Sequence, residues 1–383
     1  MGQAEGTGPR RTVAERRKSG RAPGGADPCQ PPVGTRVATV QPAPHRRYDQ
    51  VAIVAWDCLV CAGDARAAWL ACAGGQAALT RSVEHGWCGI IADPPPRHLL
   101  LHTAERAARQ PWHALSRDSR EKPASEAIPP IFSISTSKGD AHAWARLLAG
   151  DPTALLAALP GQLAPMLAAR LGLPHYLGTP VAGACSTGLY GLLAAADLLA
   201  AGASDRALAG AADASLTPFL LAGFAALGVL CGQRPPQAFA APTGFAPAEG
   251  AGMLALRTTS HAPGGWWLRG GVRCGDAGHE TLFTDPATLQ RALAALWAIL
   301  PEPQLIVTHG TGTAAGDAYE LAGLAAGPWA AAPRLACKPV IGHCLGASGA
   351  VELALALEAP VQRLWKISLG FGGHLAGVAV ERA

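Results

Sequence analysis

The feature that most constrains this chain is a local pattern that recurs three times: a short apolar run, a reactive polar residue, a few small residues, then a helix-like segment. VAGACSTGLYG, residues 181–191, presents Cys185. VTHGTGTAAGDAYE, residues 307–320, presents His309, with Asp317 and Glu320 on the segment that follows. KPVIGHCLGASGAVELALAL, residues 338–357, presents His343. A single cysteine in such a place is more often a small core hydrophobe. A lone histidine is more often a satisfied structural residue. Where a strand turns into a helix, however, the amides of the first helical turn favour a thiolate. Three matched elements point to an open α/β sheet whose strand ends face one crevice. They would supply it with a nucleophile and two groups able to handle protons or donate hydrogen bonds.

The rest of the pattern agrees. Strands are expected at 51–56, 131–135, 180–184, 206–209, 252–256, 266–272, 305–308, 364–369 and 376–380. Helices are expected at 151–171, 188–201, 289–300, 317–326 and 347–358. Such alternation argues for an α/β protein with largely buried sheets. Ala and Leu dominate a 49% hydrophobic fraction and 46 Gly accompany it, which suits helices packed closely on a sheet. No repeat is visible at the level of residues. Gly310, Gly312 and Gly316 imitate a dinucleotide fingerprint. Their GxGxxxG spacing, with no acidic residue at the end of a next strand, excludes that reading.

Charge is unevenly placed. Residues 1–47 carry nine Lys or Arg and three acids, a balance of +6, so the chain total of +4 leaves −2 for the remainder. The first 47 residues, rich in Gly, Pro and Arg, are expected to be a disordered basic tail. The near-neutral body gives no support to nucleic-acid binding. Ten cysteines without framework spacing, in a chain too long to need staples, are expected as free thiols of a reducing, cytoplasmic compartment. Cys58 and Cys61 form an isolated CxxC with no zinc-site partner at the right spacing, so no metal is expected. No apolar run approaches the roughly 20 residues of a membrane span, and the N-terminus lacks the apolar segment of a secretory leader.

The same motifs carry a family resemblance. ACSTG around Cys185, HGTGT at 309–313 and KxxxGHxxGASG at 338–349 resemble the three signatures of β-ketoacyl-acyl carrier protein synthases. GFGG at 370–373 is similar to the family's C-terminal glycine motif, and DRALAGAADASLTP at 205–218 to its strand and loop after the nucleophile helix. The resemblance covers about residues 50–383. It implies a thiolase-like five-layered α-β-α-β-α core made of two similar halves, an N-terminal one at 48–258 with Cys185 and a C-terminal one at 259–383 with both histidines. It also implies a homodimer, or a heterodimer with another ketosynthase-like subunit.

The activity implied is decarboxylative Claisen condensation. Cys185 would take an acyl group from phosphopantetheine on an acyl carrier protein, the chain itself binding no cofactor. His309 and His343 would donate to the malonyl thioester and its enolate. The amides of Cys185 and Phe371 would form the second oxyanion site, with Phe371 and Gly372 as a gate whose glycines permit backbone movement. Lys338 matches the family's buried lysine, and Glu320 matches its usual partner. Asp317 is expected as a helix N-cap or loop brace. The Cys-His-His set is that of elongating members. The alternatives are acyl transfer from Cys185 to an oxygen or nitrogen nucleophile, and a scaffold subunit paired with another ketosynthase. The chain departs from the family in several places. Its opening VAIVAWDCLVCAG lacks the glycine-rich start, and residues 93–97 form a Pro-rich insert. The family's RDGFVxGEGAG stands here as AAPTGFAPAEGAG, without the Arg-Asp pair before Gly244, and His374-Leu375 follows GFGG. These positions concern substrate access, so a member devoted to specialised, polyketide-like or fatty-acid-like metabolism is expected.

Overall fold

A computed structural model describes residues 41–83, 85–91, 98–116 and 128–383. Most of the basic tail and the Pro-rich insert at 93–97 lie outside the described residues. The strands are β1 (His45–Arg47), β2 (Val51–Leu59), β3 (Thr80–Ser82), β4 (Gly86–Cys88), β5 (Ile131–Ser135), β6 (Leu177–Gly178), β7 (Arg206–Asp213), β8 (Gly250–Thr258), β9 (Trp266–Gly275), β10 (Leu305–Val307), β11 (Arg334–Leu335), β12 (Arg363–Gly370) and β13 (His374–Arg382). All but the β3–β4 pair hydrogen-bond in the order β11-β10-β12-β13-β9-β2-β8-β7-β5-β6, with β1 beside β9.

This order hides a duplication. From β2 one arm runs outward through β8, β7, β5 and β6; from β9 the other runs through β13, β12, β10 and β11. In each arm the two inner pairings are antiparallel and the two outer ones parallel. The chain visits both arms in the same sequence, β2-β5-β6-β7-β8 and then β9-β10-β11-β12-β13. Among the described strands the two arms pair where Ala52 and Ile53 of β2 meet Trp267 and Trp266 of β9.

Strand alternation assigns each face to a layer. In β7, Ala207, Ala209 and Ala211 face a central core shared with Leu189, Leu192 and Val351, whereas Leu208 and Ala212 face outward. The central layer is the helix pair Thr187–Ala200 and Ser348–Ala356. The first arm is covered outside by helices Leu99–Ser116 and Leu163–Arg170, the second by Pro286–Ile299 and Ala314–Ala325. The result is the α-β-α-β-α stack of a thiolase-like fold. A helix between two sheets must be apolar on every side, and all nine residues of Ser348–Ala356 are buried, Glu352 among them.

Several expectations need correction. The fold starts inside residues 1–47: Ala43 is buried and His45–Arg47 pairs with β9. Tyr48 is buried too, its hydroxyl 2.7 Å from Asp197. Residues 151–171 are not one helix. Pro160 forces Leu159 into an extended conformation, which splits the segment into Leu155–Ala158 and Leu163–Arg170 with short turns between. Residues 180–184 are not a strand, because the edge strand β6 ends at Gly178 and Val181 instead donates to the Ser135 hydroxyl. The apolar run before His343 is a helical turn, Lys338–Ile341, which Pro339 can enter because its missing N–H is not needed there.

Candidate active site

Cys185 sits in a 3-10 turn, Ala184–Ser186, that runs straight into the helix Thr187–Ala200. Ala184 holds a left-handed φ of 46°, a costly geometry for a residue with a Cβ, and the turn around it is fastened at several points. Thr187 Oγ1 donates to the Ala184 carbonyl at 2.7 Å and accepts from the Gly183 amide at 2.9 Å. Ser186 Oγ lies 3.0 Å from the Ser368 carbonyl and 2.9 Å from that of His374, which pins the Cys185 turn of the first arm to β12 and β13 of the second. Gly370, the last residue of β12, completes the contact. A Cβ there would stand 2.7 Å from the Gly183 oxygen and 3.0 Å from the Cys185 nitrogen, so only glycine lets the strands close. This approach brings the Phe371 amide to the Cys185 sulfur. Phe371 and Gly372 form the first part of a turn in which Gly372 has φ 78° and donates to the Glu280 carbonyl at 2.7 Å.

Burial pushes the Cys185 thiol upward; the charges of Lys138 and Lys338 and the Phe371 amide pull it back. Cys185 lines a cavity of about 470 Å³ together with His309, His343, Phe371 and the apolar side chains of Phe224, Val229 and Phe283. The rings of His309 and His343 are 5.5 Å apart and nearly perpendicular. Burial, reinforced by Lys338 and other nearby cations, holds both well below the ordinary histidine range, so both are neutral. His343 Nδ1 lies 2.8 Å from Ser348 Oγ, and Lys338 Nζ lies 3.4 Å from His309 Nδ1. Lys338 can only donate, so the His309 ring carries its proton on Nε2, while the Ser348 hydroxyl, able to donate or accept, holds His343 at Nδ1. Phe245, edge-on to His343 at 5.0 Å, fixes the ring plane.

Of the expected site residues, Cys185, His309, His343 and Phe371 line this cavity, Lys338 and Glu320 hydrogen-bond His309 and Gly372 follows Phe371, but one pairing was misassigned. Lys338 is ion-paired to Glu352, at 2.7 Å, not to Glu320. Glu320 instead accepts the backbone amides of His309 at 2.6 Å and Gly310 at 2.7 Å, and burial pushes it up to about 6. Asp317 is a loop brace rather than an N-cap, since it accepts from Phe239 and Gly312 while Thr313 precedes the helix. Cys58 is buried and the Cys61 thiol donates to the Ile341 carbonyl. Sequence reasoning missed Glu352, Lys366 and Lys138. The first two had a visible signal: a lone acid in AVELALAL and a lone base in LWKISLG, each inside an otherwise apolar run. Lys138 had none.

Residues 135–262 match the family model described as beta-ketoacyl synthase, N-terminal domain, and residues 271–370 the model described as beta-ketoacyl synthase, C-terminal domain. The chain belongs to the β-ketoacyl synthase family. Within that family it is 32% identical over 218 residues to 3-oxoacyl-[acyl-carrier-protein] synthase I, chloroplastic, of Arabidopsis thaliana, which takes in 51% of this chain and 45% of the relative. The chain spans about half the length of the curated relatives it matches. Two solved structures share the β-ketoacyl synthase fold with it. One is the ishigamide ketosynthase/chain length factor, with TM-score 0.71 and 22% identity, covering 88% of this chain and 100% of that one. The other is a type II polyketide synthase acyl-carrier protein in complex with its ketosynthase bound to the hexaketide. Its TM-score is 0.73 at 21% identity, over 87% of this chain and 99% of that one.

Proposed function

We propose that the chain is an elongating β-ketoacyl synthase that lengthens a carrier-bound acyl group by decarboxylative condensation with a malonyl thioester. The observation that carries this reading is the meeting of one thiol and two neutral imidazoles, each on a turn that leads into a helix, in one largely apolar cavity.

In the first half-reaction the Cys185 thiolate attacks the acyl thioester delivered on phosphopantetheine. The Cys185 and Phe371 amides hold the developing oxyanion, and the carrier thiol leaves. Each such donor typically lowers the barrier by about 3 kcal/mol. In the second, the malonyl thioester carbonyl lies against His309 and His343. The bond to its carboxylate breaks, carbon dioxide departs, and the electron pair becomes an enolate whose oxygen accepts from the two Nε2–H groups. The enolate carbon attacks the acyl-cysteine carbonyl, the carbon–sulfur bond breaks, and the Cys185 thiolate is returned. Neutral rings suit the enolate because they donate hydrogen bonds without delivering a proton that would quench it. The hydroxyls of Thr311 and Thr313 line the same cavity and would face the amide-bearing pantetheine arm.

The partners proposed are an acyl carrier protein and a second thiolase-like subunit, a copy of this chain or a companion. The exposed edge strand β6 and the exposed Leu148, Leu155 and Leu156 near it in the chain support the second. A cytoplasmic location is proposed from the cysteines, which are free among the described residues. Among the described residues no single helix is long and apolar enough to cross a membrane.

The test is to incubate the purified protein with acyl-carrier thioesters and malonyl-carrier protein and read intact masses. An acyl adduct on Cys185 with a carrier product two carbons longer is expected. Acylation without elongation would replace this reading by transfer to an oxygen or nitrogen nucleophile. No acylation without a companion chain would make the protein a subunit of a pair.

A further inference from the structure

A lysine in the middle of an apolar strand needs a reason, because removing an ammonium group from water costs several kcal/mol unless its protons find acceptors. Lys366 is fully buried at the centre of β12, opposite Val307 of β10 and Val378 of β13. Its Nζ donates to the Thr308 carbonyl at 2.9 Å and to Glu352 Oε2. The other oxygen of Glu352 takes Lys338 Nζ at 2.7 Å, and Lys338 Nζ donates in turn to the His309 carbonyl at 2.6 Å. We propose that Lys366 and Glu352 are positioning residues which, with Lys338, form a buried clamp on the 308–309 main chain and so set where the His309 ring points. The proposal rests on the reading of His309 as a donor to the malonyl thioester.

The geometry has a clear division of labour. β10 ends at Val307, so the carbonyls of Thr308 and His309 lie just beyond the β10–β12 ladder. Each is taken by a different ammonium group. On the opposite side Glu320 takes the amides of His309 and Gly310. Three consecutive residues are thus gripped through two carbonyls and two amides, with no freedom to drift. Lys338 alone would leave the Thr308 carbonyl without the Lys366 donor. Glu352 fixes the spacing of the two lysines by offering one oxygen to each. Burial and the neighbouring Lys338 push the Lys366 ammonium below the ordinary lysine range, and Glu352 pulls it part of the way back.

The charged and titratable groups around His309 are Lys338, Lys366, Glu320, Glu352, His343 and Cys185. Burial comes first, followed by Lys338, His343 and Lys366, in disfavouring an imidazolium here. The clamp therefore holds both the position and the neutrality of the ring.

The test uses the whole protein with Lys366→Met and, to guard against misfolding from an unpaired Glu352, the double variant Glu352→Gln/Lys366→Met. The His309 ring is followed by NMR of ¹⁵N-histidine-labelled protein, its signal identified by its loss in His309→Ala. In both variants the signal should shift, and in Lys366→Met it should titrate at higher pH than in the native chain. Malonyl-thioester decarboxylation should fall about tenfold, in line with a misplaced oxyanion donor, while acylation of Cys185 changes less than about threefold. An unmoved His309 signal in either folded variant overturns the proposal. So does an equal fall in both half-reactions with the His309 titration unchanged. Should the native chain fail to decarboxylate malonyl thioesters, the functional reading fails, while the ring signal still decides whether the clamp exists.

Discussion

The two arms of the sheet carry the same turn at the same place and use it differently. Ala184-Cys185-Ser186-Thr187 leads into the helix of the first half, and Leu345-Gly346-Ala347-Ser348 into that of the second. Each turn opens on a non-glycine residue in the left-handed region, φ 46° at Ala184 and 48° at Leu345. In the first half the second position is the thiol, and the hydroxyl of Thr187 braces the turn's own backbone. In the second, glycine stands where the thiol would be, and the hydroxyl of Ser348 serves His343. The strand tips differ in the same sense. Asp213 at the end of β7 is buried and bonded to Thr136, whereas Gly370 at the end of β12 is bare so that Phe371 can reach Cys185. A duplicated scaffold thus supplies placement, and a few unmatched positions supply the chemistry.

The sharpest way to break this comparison is to exchange the turn residues. Cys185→Ala should abolish acylation and lower product formation on the order of 10³-fold or more, with folding intact by circular dichroism. Gly346→Cys in that background should not restore it. A Cβ at 346 would meet Ser137 Cβ at 2.6 Å and Asp213 Oδ2 at 2.7 Å, so stability in urea should drop by about 1–3 kcal/mol from overpacking. An acylated, stable Gly346→Cys protein would mean that the two turns are still interchangeable.

A smaller effect separates the two hydroxyls. Ser348→Ala should slow malonyl decarboxylation about tenfold by freeing the His343 tautomer, with Cys185 acylation nearly unchanged. Equal slowing of both half-reactions would show that the two turns are not functionally distinct.

The half-reactions should also part company in pH. Glu320 accepts two amides as a carboxylate, and its proton returns as pH falls through about 6, so condensation should decline over that range and Glu320→Gln should flatten the decline. Alkylation of Cys185 should instead keep rising with pH, because burial raises its thiol. Removing a nearby cation raises that thiol further, so Lys138→Ala should slow alkylation at pH 8 by about two- to threefold, with the gap closing at high pH. A Cys185 profile that tracks Glu320 would contradict the separation.

The three turns were legible in the sequence because their small residues and reactive side chains are contiguous, and the long core strands because each carries an apolar run, whereas the short strands β1, β3, β4, β6 and β11 carry none long enough to read. Their pairing was not. The duplication is a matter of strand order and shared hydrogen-bond direction, which the dissimilar sequences of the matching strands do not display. The misassigned partner of Lys338 has the same origin. Glu320 and Glu352 stand 18 and 14 residues from it in the chain, and only the crossing of the Ser348–Ala356 helix over β12 decides between them. Residues 180–184 looked like a strand because burial and extension leave the same apolar trace, whether or not a neighbour is there to pair.

The contact of Gly370 with the Cys185 turn has a consequence for how the molecule comes into being. β12 and β13 follow every other strand in the chain, yet they lie in the middle of the second arm and bring Gly370 and Phe371 to the Cys185 turn of the first. Such long-range pairing is slow, since distant segments must find each other before any contact rewards the search. During synthesis, the thiol and its helix emerge well before the strand that makes them useful. Activity should therefore appear in one step, with closure of the sheet, and not in proportion to the length of chain made.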